Sequence, residues 1–142
     1  MDKSNLWRLR ATEIVKATTA GEIRSIDVVT SVTDRMRKIN PKLNAVVVDL
    51  SEQALKTAED LDRDQENGKE CGPLHGVPIT IKINVDQKGH PTSNGVYALK
   101  NLIAPDDAPI VKNLANAGAI IIGRTNTPCL LYTSDAADEE DS

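Results

Sequence analysis

The stretch VPITIKINV, residues 77–85, alternates apolar side chains with other side chains over its whole length. A period of two is typical of a β-strand with one buried face. Downstream, residues 107–118 predict a helix with Asp107 as its N-cap, Pro109 in its first turn and Gly118 just past its end. The apolar run AIIIG, residues 119–123, then predicts a buried strand. Strand, helix and strand in this order predict a βαβ unit with parallel strands.

The first half of the chain predicts helices. Apolar side chains recur at steps of three and four residues in a short helix after Thr12, a second helix between Ser25 and the Asn40-Pro41 pair, and a third helix from Ser51 to Gly68. Threonine and serine are favoured N-caps, and proline disfavours helix in the residue before it. The run AVVV, residues 45–48, fits either an extended segment or part of the third helix, and its period does not decide between them.

These elements together predict an α/β fold, in which N-terminal helices precede the start of a mostly parallel or mixed sheet that helices cover. Two strands make a poor sheet, so the predicted sheet is incomplete. A sheet that stops after Gly123 is expected to leave an unpaired apolar edge.

Composition excludes several classes of protein. The 142 residues carry 17 basic and 21 acidic side chains, and the net charge is −4. This balance offers no basic patch for a nucleic acid, and one Trp, two Tyr and no Phe leave almost no platform for base stacking. No apolar run approaches the length that spans a bilayer, and no signal-type stretch opens the chain. A cytoplasmic protein without nucleic-acid or membrane partners is therefore expected.

Lys82 is the main candidate for chemistry because it lies inside the predicted strand of residues 77–85. Periodicity places it beside Thr80 and Asn84 on the less apolar face, where a solvated lysine is ordinary. The functional interpretation instead requires burial. Desolvation lowers the pKa of a lysine, and a neutral amine can then accept a proton from a hydroxyl nucleophile.

The sequence around Lys82 carries a family resemblance. Its motifs are GPLHGVPITIK at 72–82, NVD at 84–86, Gly89, TSNG at 92–95, DA at 107–108, and AGA at 117–119 continuing to GRTN at 123–126. These motifs, together with NPKLNA at 40–45, resemble those of the amidase signature family and occur in the same order as in that family. The resemblance covers nearly all residues from Leu9 to Pro128.

The resemblance implies hydrolysis of a carboxylic amide to an acid and ammonia or an amine by a Ser, cis-Ser, Lys triad, with Lys82 as the base. The resemblance also implies a small-molecule amide as the substrate and no cofactor. It is compatible with a homodimer of the full-length parent. Both serines of the triad are absent from this chain, since Ser93 and Ser134 match neither position. The 142-residue chain alone is therefore expected to be inactive.

Two positions depart from the family pattern. Ile83 stands where an Asp is common, and Arg124 replaces a frequent Lys while keeping the charge. The sequence also admits two other functions: the amidase subunit of a glutamine-dependent tRNA amidotransferase, and a non-catalytic interaction module.

Other candidate sites carry weaker signals. Thr92, Ser93, Asn94 and Gly95 either border the substrate pocket, as the resemblance implies, or form a simple turn. The donors Cys71, His75 and His90 are dispersed without a repeated pair, so no metal site is predicted, and His75 is expected to shape the loop before the strand.

The last residues differ in character from the rest of the chain. The segment CLLYTSDAADEEDS, residues 129–142, resembles the translation of a transposon adapter used in DNA sequencing. A genuine acidic, disordered terminus is the alternative. The predicted organisation is residues 1–128 as the N-terminal part of an amidase domain and residues 129–142 as an artefactual or disordered tail.

Overall fold

The computed structural model describes residues 3–128. These residues form four α-helices, three strands and two short 3-10 helices, Lys3–Arg8 and Tyr97–Leu99. In chain order, the main elements are α1 (Ala11–Thr19), α2 (Ser25–Leu43), β1 (Val46–Asp49), α3 (Ser51–Glu66), β2 (Pro78–Lys82), α4 (Pro109–Asn116) and β3 (Ile120–Thr125). The predicted α/β class with N-terminal helices is confirmed.

The sheet is mixed, with the order β1-β3-β2. Strands β2 and β3 are parallel and α4 connects them, which confirms the predicted βαβ unit. The undecided run at residues 45–48 contributes the third strand, since β1 pairs with β3 in antiparallel orientation. Strand β3 lies in the middle of the sheet with a partner on each side, so β1 and β2 form the edges of the described sheet, and the expected unpaired apolar edge stays a prediction.

Two apolar clusters hold the helices to the sheet. The cluster below α2 and α3 joins helix side chains to β3 through Val29, Met36, Ala54, Ala58, Ile120 and Ile122. The other cluster gathers the N-terminal segment against the start of β2 and consists of Leu6, Ile14, Ala17, Ile23, Val28 and Val77. Fully burying one valine, leucine or isoleucine side chain contributes about 1.5–3 kcal/mol to the free energy of folding. This packing therefore holds the start of β2 against the N-terminal helices.

The predicted N-caps are displaced by one or two residues. Helix α2 begins at Ser25 itself, and its first amide groups are bound by the Asp62 carboxylate of α3, with Ser25 N at 2.7 Å and Ile26 N at 3.1 Å. Helix α4 begins after Ala108, because the Asp107 carboxylate instead accepts a hydrogen bond from Lys88 N at 2.7 Å. Sequence spacing does not reveal such distant partners.

Two other helix starts also differ from the prediction. Arg10 precedes α1, so Thr12 lies inside that helix, and the Glu13 carboxylate accepts the amide hydrogen of Arg10 at 2.7 Å. Leu50 precedes α3, and Ser51 is its first residue, with its amide bound to the Asp49 carboxylate at 2.8 Å. In both places a neighbouring carboxylate binds an amide group at the start of the helix.

Helix α2 does not end at Asn40-Pro41, as the proline predicted, but continues to Leu43. Proline lacks an amide donor, so the last turn of α2 continues through Pro41 with one intrahelical hydrogen bond fewer. The Asn40 carbonyl still accepts a hydrogen bond from Asn44 N at 2.7 Å, and Asn44 closes the helix with a left-handed backbone at φ 50°. The Asn40 side chain then accepts the amide of Val46 at 2.9 Å and directs the chain into β1.

None of the helices found between residues 3 and 128 combines the length and apolar character that a bilayer-spanning helix requires. The predicted boundary at residue 128 coincides with the end of the described part, so the origin of residues 129–142 lies outside the described residues and stays a prediction.

Candidate active site

Lys82 is the last residue of β2, and its side chain is exposed. The predicted alternation is confirmed within β2, since Thr80 and Lys82 are exposed while Ile81 is only 5% exposed. The predicted strand of residues 77–85 is too long, because β2 ends at Lys82 and the chain turns through Ile83 and Asn84. The burial that the functional interpretation requires is not provided by residues 3–128.

The backbone of Lys82 is held on both sides by hydrogen bonds. In the parallel pair Lys82 lies opposite Thr125 of β3, and Ile83 N donates to Thr125 O at 3.0 Å. The Lys82 carbonyl accepts a hydrogen bond from Val85 N at 3.0 Å, which turns the chain sharply after the strand. Lys82 therefore projects from a fixed point at the carboxyl end of a parallel strand, where α/β proteins commonly bind ligands.

Residues 92–95 begin with a buried threonine and continue into a tight turn. Thr92 is 9% exposed, and its hydroxyl donates a hydrogen bond to the Asp86 carboxylate at 2.6 Å. Asn94 and Gly95 both have left-handed backbones, at φ 50° and 72°, and Val96 N donates to Ser93 O at 2.8 Å across them. Positive φ at both central residues explains the Asn-Gly pair. The turn interpretation is confirmed, and the role of Thr92, Ser93, Asn94 and Gly95 in substrate binding stays a prediction.

Arg124 is the residue whose importance the sequence did not reveal. It is 0% exposed, and its two terminal nitrogens donate to the carbonyl oxygens of Pro91, at 2.6 Å, and Val85, at 2.8 Å. Burial lowers the pKa of Arg124, and the negative charge of Asp86 acts in the opposite direction. The available signal was its position, since Ile120, Ile122 and Arg124 share the buried period of β3.

His75 shapes the loop before β2, as predicted. It is 3% exposed, its carbonyl accepts the Thr18 hydroxyl at 3.0 Å, and its Nε2 lies 3.2 Å from Oε1 of Gln65. Burial lowers the pKa of His75, against a smaller opposing effect of Asp62. Burial also lowers the pKa of His90, and the positive charge of Arg124 adds to that effect.

Cys71 is a free thiol whose pKa is raised by burial and by Glu70. Within the part of the chain that the structure describes, no group of three or more His, Cys, Asp or Glu side chains is arranged to hold a metal ion.

Replacing His75 by glutamine is expected to weaken the acid sensitivity of folding. Because the folded state holds the pKa of His75 below its ordinary value of 6.5, the unfolded chain binds the proton more readily. Stability is then lost as pH falls from 6.5 through the folded pKa, whereas carboxylates with ordinary values near 3.8 respond only at lower pH. Melting temperatures of the wild-type and His75→Gln full-length enzymes between pH 7 and pH 5 measure this, and identical pH profiles would contradict it.

Comparisons with known proteins agree with this architecture. The chain is 54% identical over 126 residues to indoleacetamide hydrolase of Bradyrhizobium diazoefficiens, covering 89% of this chain and 24% of that protein. It is 38% identical over 121 residues to a glutamyl-tRNA(Gln) amidotransferase subunit of Carboxydothermus hydrogenoformans, covering 85% of this chain and 25% of that protein. The chain thus spans about a quarter of the length of the curated relatives it matches.

The fold itself is also found in solved amidases. The crystal structure of a bacterial aryl acylamidase belonging to the amidase signature enzymes superposes with a TM-score of 0.79 at 30% identity, over 85% of this chain and 26% of that one. The family match extends past the predicted boundary at residue 128. Since the sequence model of the Amidase family matches residues 27–139 of the 142, this chain belongs to the Amidase family.

Proposed function

We propose that the chain is the N-terminal part of an enzyme that hydrolyses a carboxylic amide to an acid and ammonia or an amine, with Lys82 as the base. The observation that carries this proposal is the placement of Lys82. It stands at the carboxyl end of a parallel strand, on a sheet face that residues 3–128 leave open. The resemblance of residues 72–82 to the amidase signature family supports its role as the base of the triad.

In the proposed mechanism, neutral Lys82 accepts a proton through a bridging serine from a nucleophilic serine. The nucleophile's oxygen attacks the amide carbon, and backbone amide groups stabilise the resulting oxyanion. The lysine returns the proton to the leaving amine as the C–N bond breaks. Water then attacks the acyl-enzyme, gives up a proton by the same route and releases the acid. This chain contributes the lysine, and the serines belong to the remainder of the full-length parent.

The exposure of Lys82 sets a requirement on that remainder. A general base needs its neutral form, and withdrawal from water is what favours the neutral form of an amine. The proposal therefore requires the rest of the full-length enzyme to cover the open face of β2 and withdraw the amine from water. Since the chain spans about a quarter of its relatives' length, enough additional protein exists in such enzymes to form the cover.

Indole-3-acetamide is the first substrate to test, because the 54% identical relative is named an indoleacetamide hydrolase. The proposal includes a small-molecule substrate, no cofactor and a cytoplasmic location. A homodimer of the full-length parent stays a prediction.

A second candidate function is the amidase subunit of a glutamine-dependent tRNA amidotransferase, which passes ammonia to a partner. The 38% identity to an amidotransferase protein favours it, although the identity to the hydrolase is higher. A non-catalytic module is less well supported, because residues 27–139 match a family of enzymes.

The test compares the full-length enzyme with the purified 142-residue chain in an ammonia-release assay. We expect the full-length enzyme to hydrolyse indole-3-acetamide and the short chain to release no ammonia from any simple amide. Ammonia release only from glutamine, and only with partner subunits, would replace this proposal with the amidotransferase. Release by the short chain that depends on Lys82 would contradict the proposed division of the triad.

A further inference from the structure

The guanidinium of Arg124 ties together the two ends of one loop. Its acceptors are the carbonyl oxygens of Val85 and Pro91, which begin and end a seven-residue segment. Val85 comes three residues after Lys82, and Pro91 comes directly before Thr92. One side chain therefore fixes the exit of the chain from the lysine strand and its arrival at the turn of residues 92–95.

Arg124 is also in register with the end of β2. In the parallel pair Ile81 lies opposite Arg124 and Lys82 lies opposite Thr125. The chain after Lys82 is thus held to β3 twice, by the backbone hydrogen bond from Ile83 N to Thr125 O and by the guanidinium hydrogen bond to the Val85 carbonyl. These contacts leave the backbone around Lys82 little freedom to move away from β3.

The burial of this charge is costly, so its hydrogen bonds must compensate for lost hydration. A guanidinium that is 0% exposed has lost its water, and both of its observed acceptors are neutral main-chain carbonyls. Its Nε is buried without a hydrogen-bond partner among the described residues. A methionine of similar length would fill the same space without that cost but would remove the hydrogen bonds to the carbonyl oxygens of Val85 and Pro91.

A second hydrogen bond joins Asp86, near the start of the same loop, to Thr92, directly after its end. The Thr92 hydroxyl donates to the Asp86 carboxylate at 2.6 Å, and Asp86 O accepts the amide hydrogen of Ala108 at 2.9 Å, just before α4. Hydrogen bonds thus connect the loop that follows β2 both to β3 and to the start of α4. Rigid support of this kind is what a catalytic group needs, because a misplacement of about 1 Å can cost about 10²-fold in rate.

We propose that Arg124 is a positioning residue for amide hydrolysis, which holds the loop of residues 85–91 so that Lys82 meets its serine partner in productive geometry. This inference rests on the proposed function. Arg124 touches neither substrate nor the reacting atoms in this role, and it acts through the backbone on either side of Lys82.

The experiment uses the full-length enzyme with Arg124→Met and Arg124→Lys. Methionine removes both hydrogen bonds, and lysine keeps the charge but lacks the planar fork that reaches two acceptors at once. We expect kcat per folded enzyme to fall about 10²-fold in Arg124→Met and about 10-fold in Arg124→Lys, with KM within about threefold of wild type. Arg63→Met, which removes an exposed arginine paired with Asp60, is the matched control and should leave both constants unchanged.

A double-mutant cycle separates positioning from a purely structural role. If Arg124 acts through Lys82, adding Arg124→Met to Lys82→Met should cause little further loss of kcat, because the base is already absent. An equal loss on both backgrounds would overturn the inference, as would a wild-type kcat per folded enzyme in Arg124→Met and Arg124→Lys. If Arg124→Met does not fold, Arg124→Lys and its cycle with Lys82→Met decide the question. Full turnover by Lys82→Met would overturn the proposed function instead.

Discussion

Replacing Lys82 by methionine in the full-length enzyme is expected to lower kcat by about 10²–10⁴-fold, the usual contribution of a general base. Methionine keeps a side chain of similar length but has no group that can take the proton of the attacking serine. Lys82 is exposed in the described part of the chain, so replacing its side chain removes no core packing there. Steady-state kinetics on indole-3-acetamide measure the effect, and melting temperatures confirm that folding is retained.

Lys82→Arg sharpens this test. Arginine preserves the positive charge but stays protonated in proteins, so it cannot accept a proton. If Lys82 acts as a base, arginine should be as inactive as methionine, whereas a lysine that only attracts an anionic group would be replaced by arginine with little loss. Lys69→Met, at an exposed lysine paired with Asp64, is the control and should retain full activity. Turnover close to wild type in Lys82→Met would refute the assignment of the base.

Replacing Gly118 by alanine is expected to destabilise the full-length enzyme by about 2–5 kcal/mol. Gly118 has a φ of 92°, and an added Cβ would lie 2.9 Å from the Cα of His75 and 3.1 Å from its nitrogen. A left-handed backbone costs an alanine about 1–2 kcal/mol, and overpacking against a backbone that cannot move aside costs about 1–3 kcal/mol more. Hydrogen bonds from Leu74 N to Ala117 O and from Gly76 N to Gly118 O dock the loop that leads into β2 at this point.

Gly68 supplies a matched comparison for this prediction. Its φ of 82° is similar, but an added Cβ there would meet nothing within 4 Å. Gly68→Ala should therefore cost only the backbone strain of about 1–2 kcal/mol. Denaturant unfolding of both variants measures the difference, and equal losses would show that the contact with His75 relaxes without cost.

The βαβ unit could be predicted because its signals are local. The residues of β2 alternate between apolar and other side chains, Pro109 and Gly118 mark the two ends of α4, and residues 119–123 are too apolar to lie at the surface. The family motifs around Lys82 lie in the same stretch. The fold class and the candidate base therefore followed from neighbouring residues, without knowledge of distant contacts.

The features that the sequence left open or placed wrongly are those in which a distant partner decides the local structure. The run at residues 45–48 becomes β1 because β3 offers it an edge, with Val46 opposite Thr125. Helix α2 begins at Ser25 because the Asp62 carboxylate from α3 binds its first amide groups. The central place of β3 has the same origin, since strand order depends on pairing across the sheet and not on the period of any one strand.

By itself, the sequence determined the type of its regular elements in the second half, the polar face that carries Lys82 and the membership in a family of amidases. Only the tertiary structure decided that β3 is the central strand and that Arg124 is buried beneath the loop after Lys82. The physical reason is range. Side-chain periodicity is set by backbone geometry within a few residues, whereas a buried guanidinium becomes stable only when folding brings the carbonyl oxygens of Val85 and Pro91 to it from more than thirty residues away.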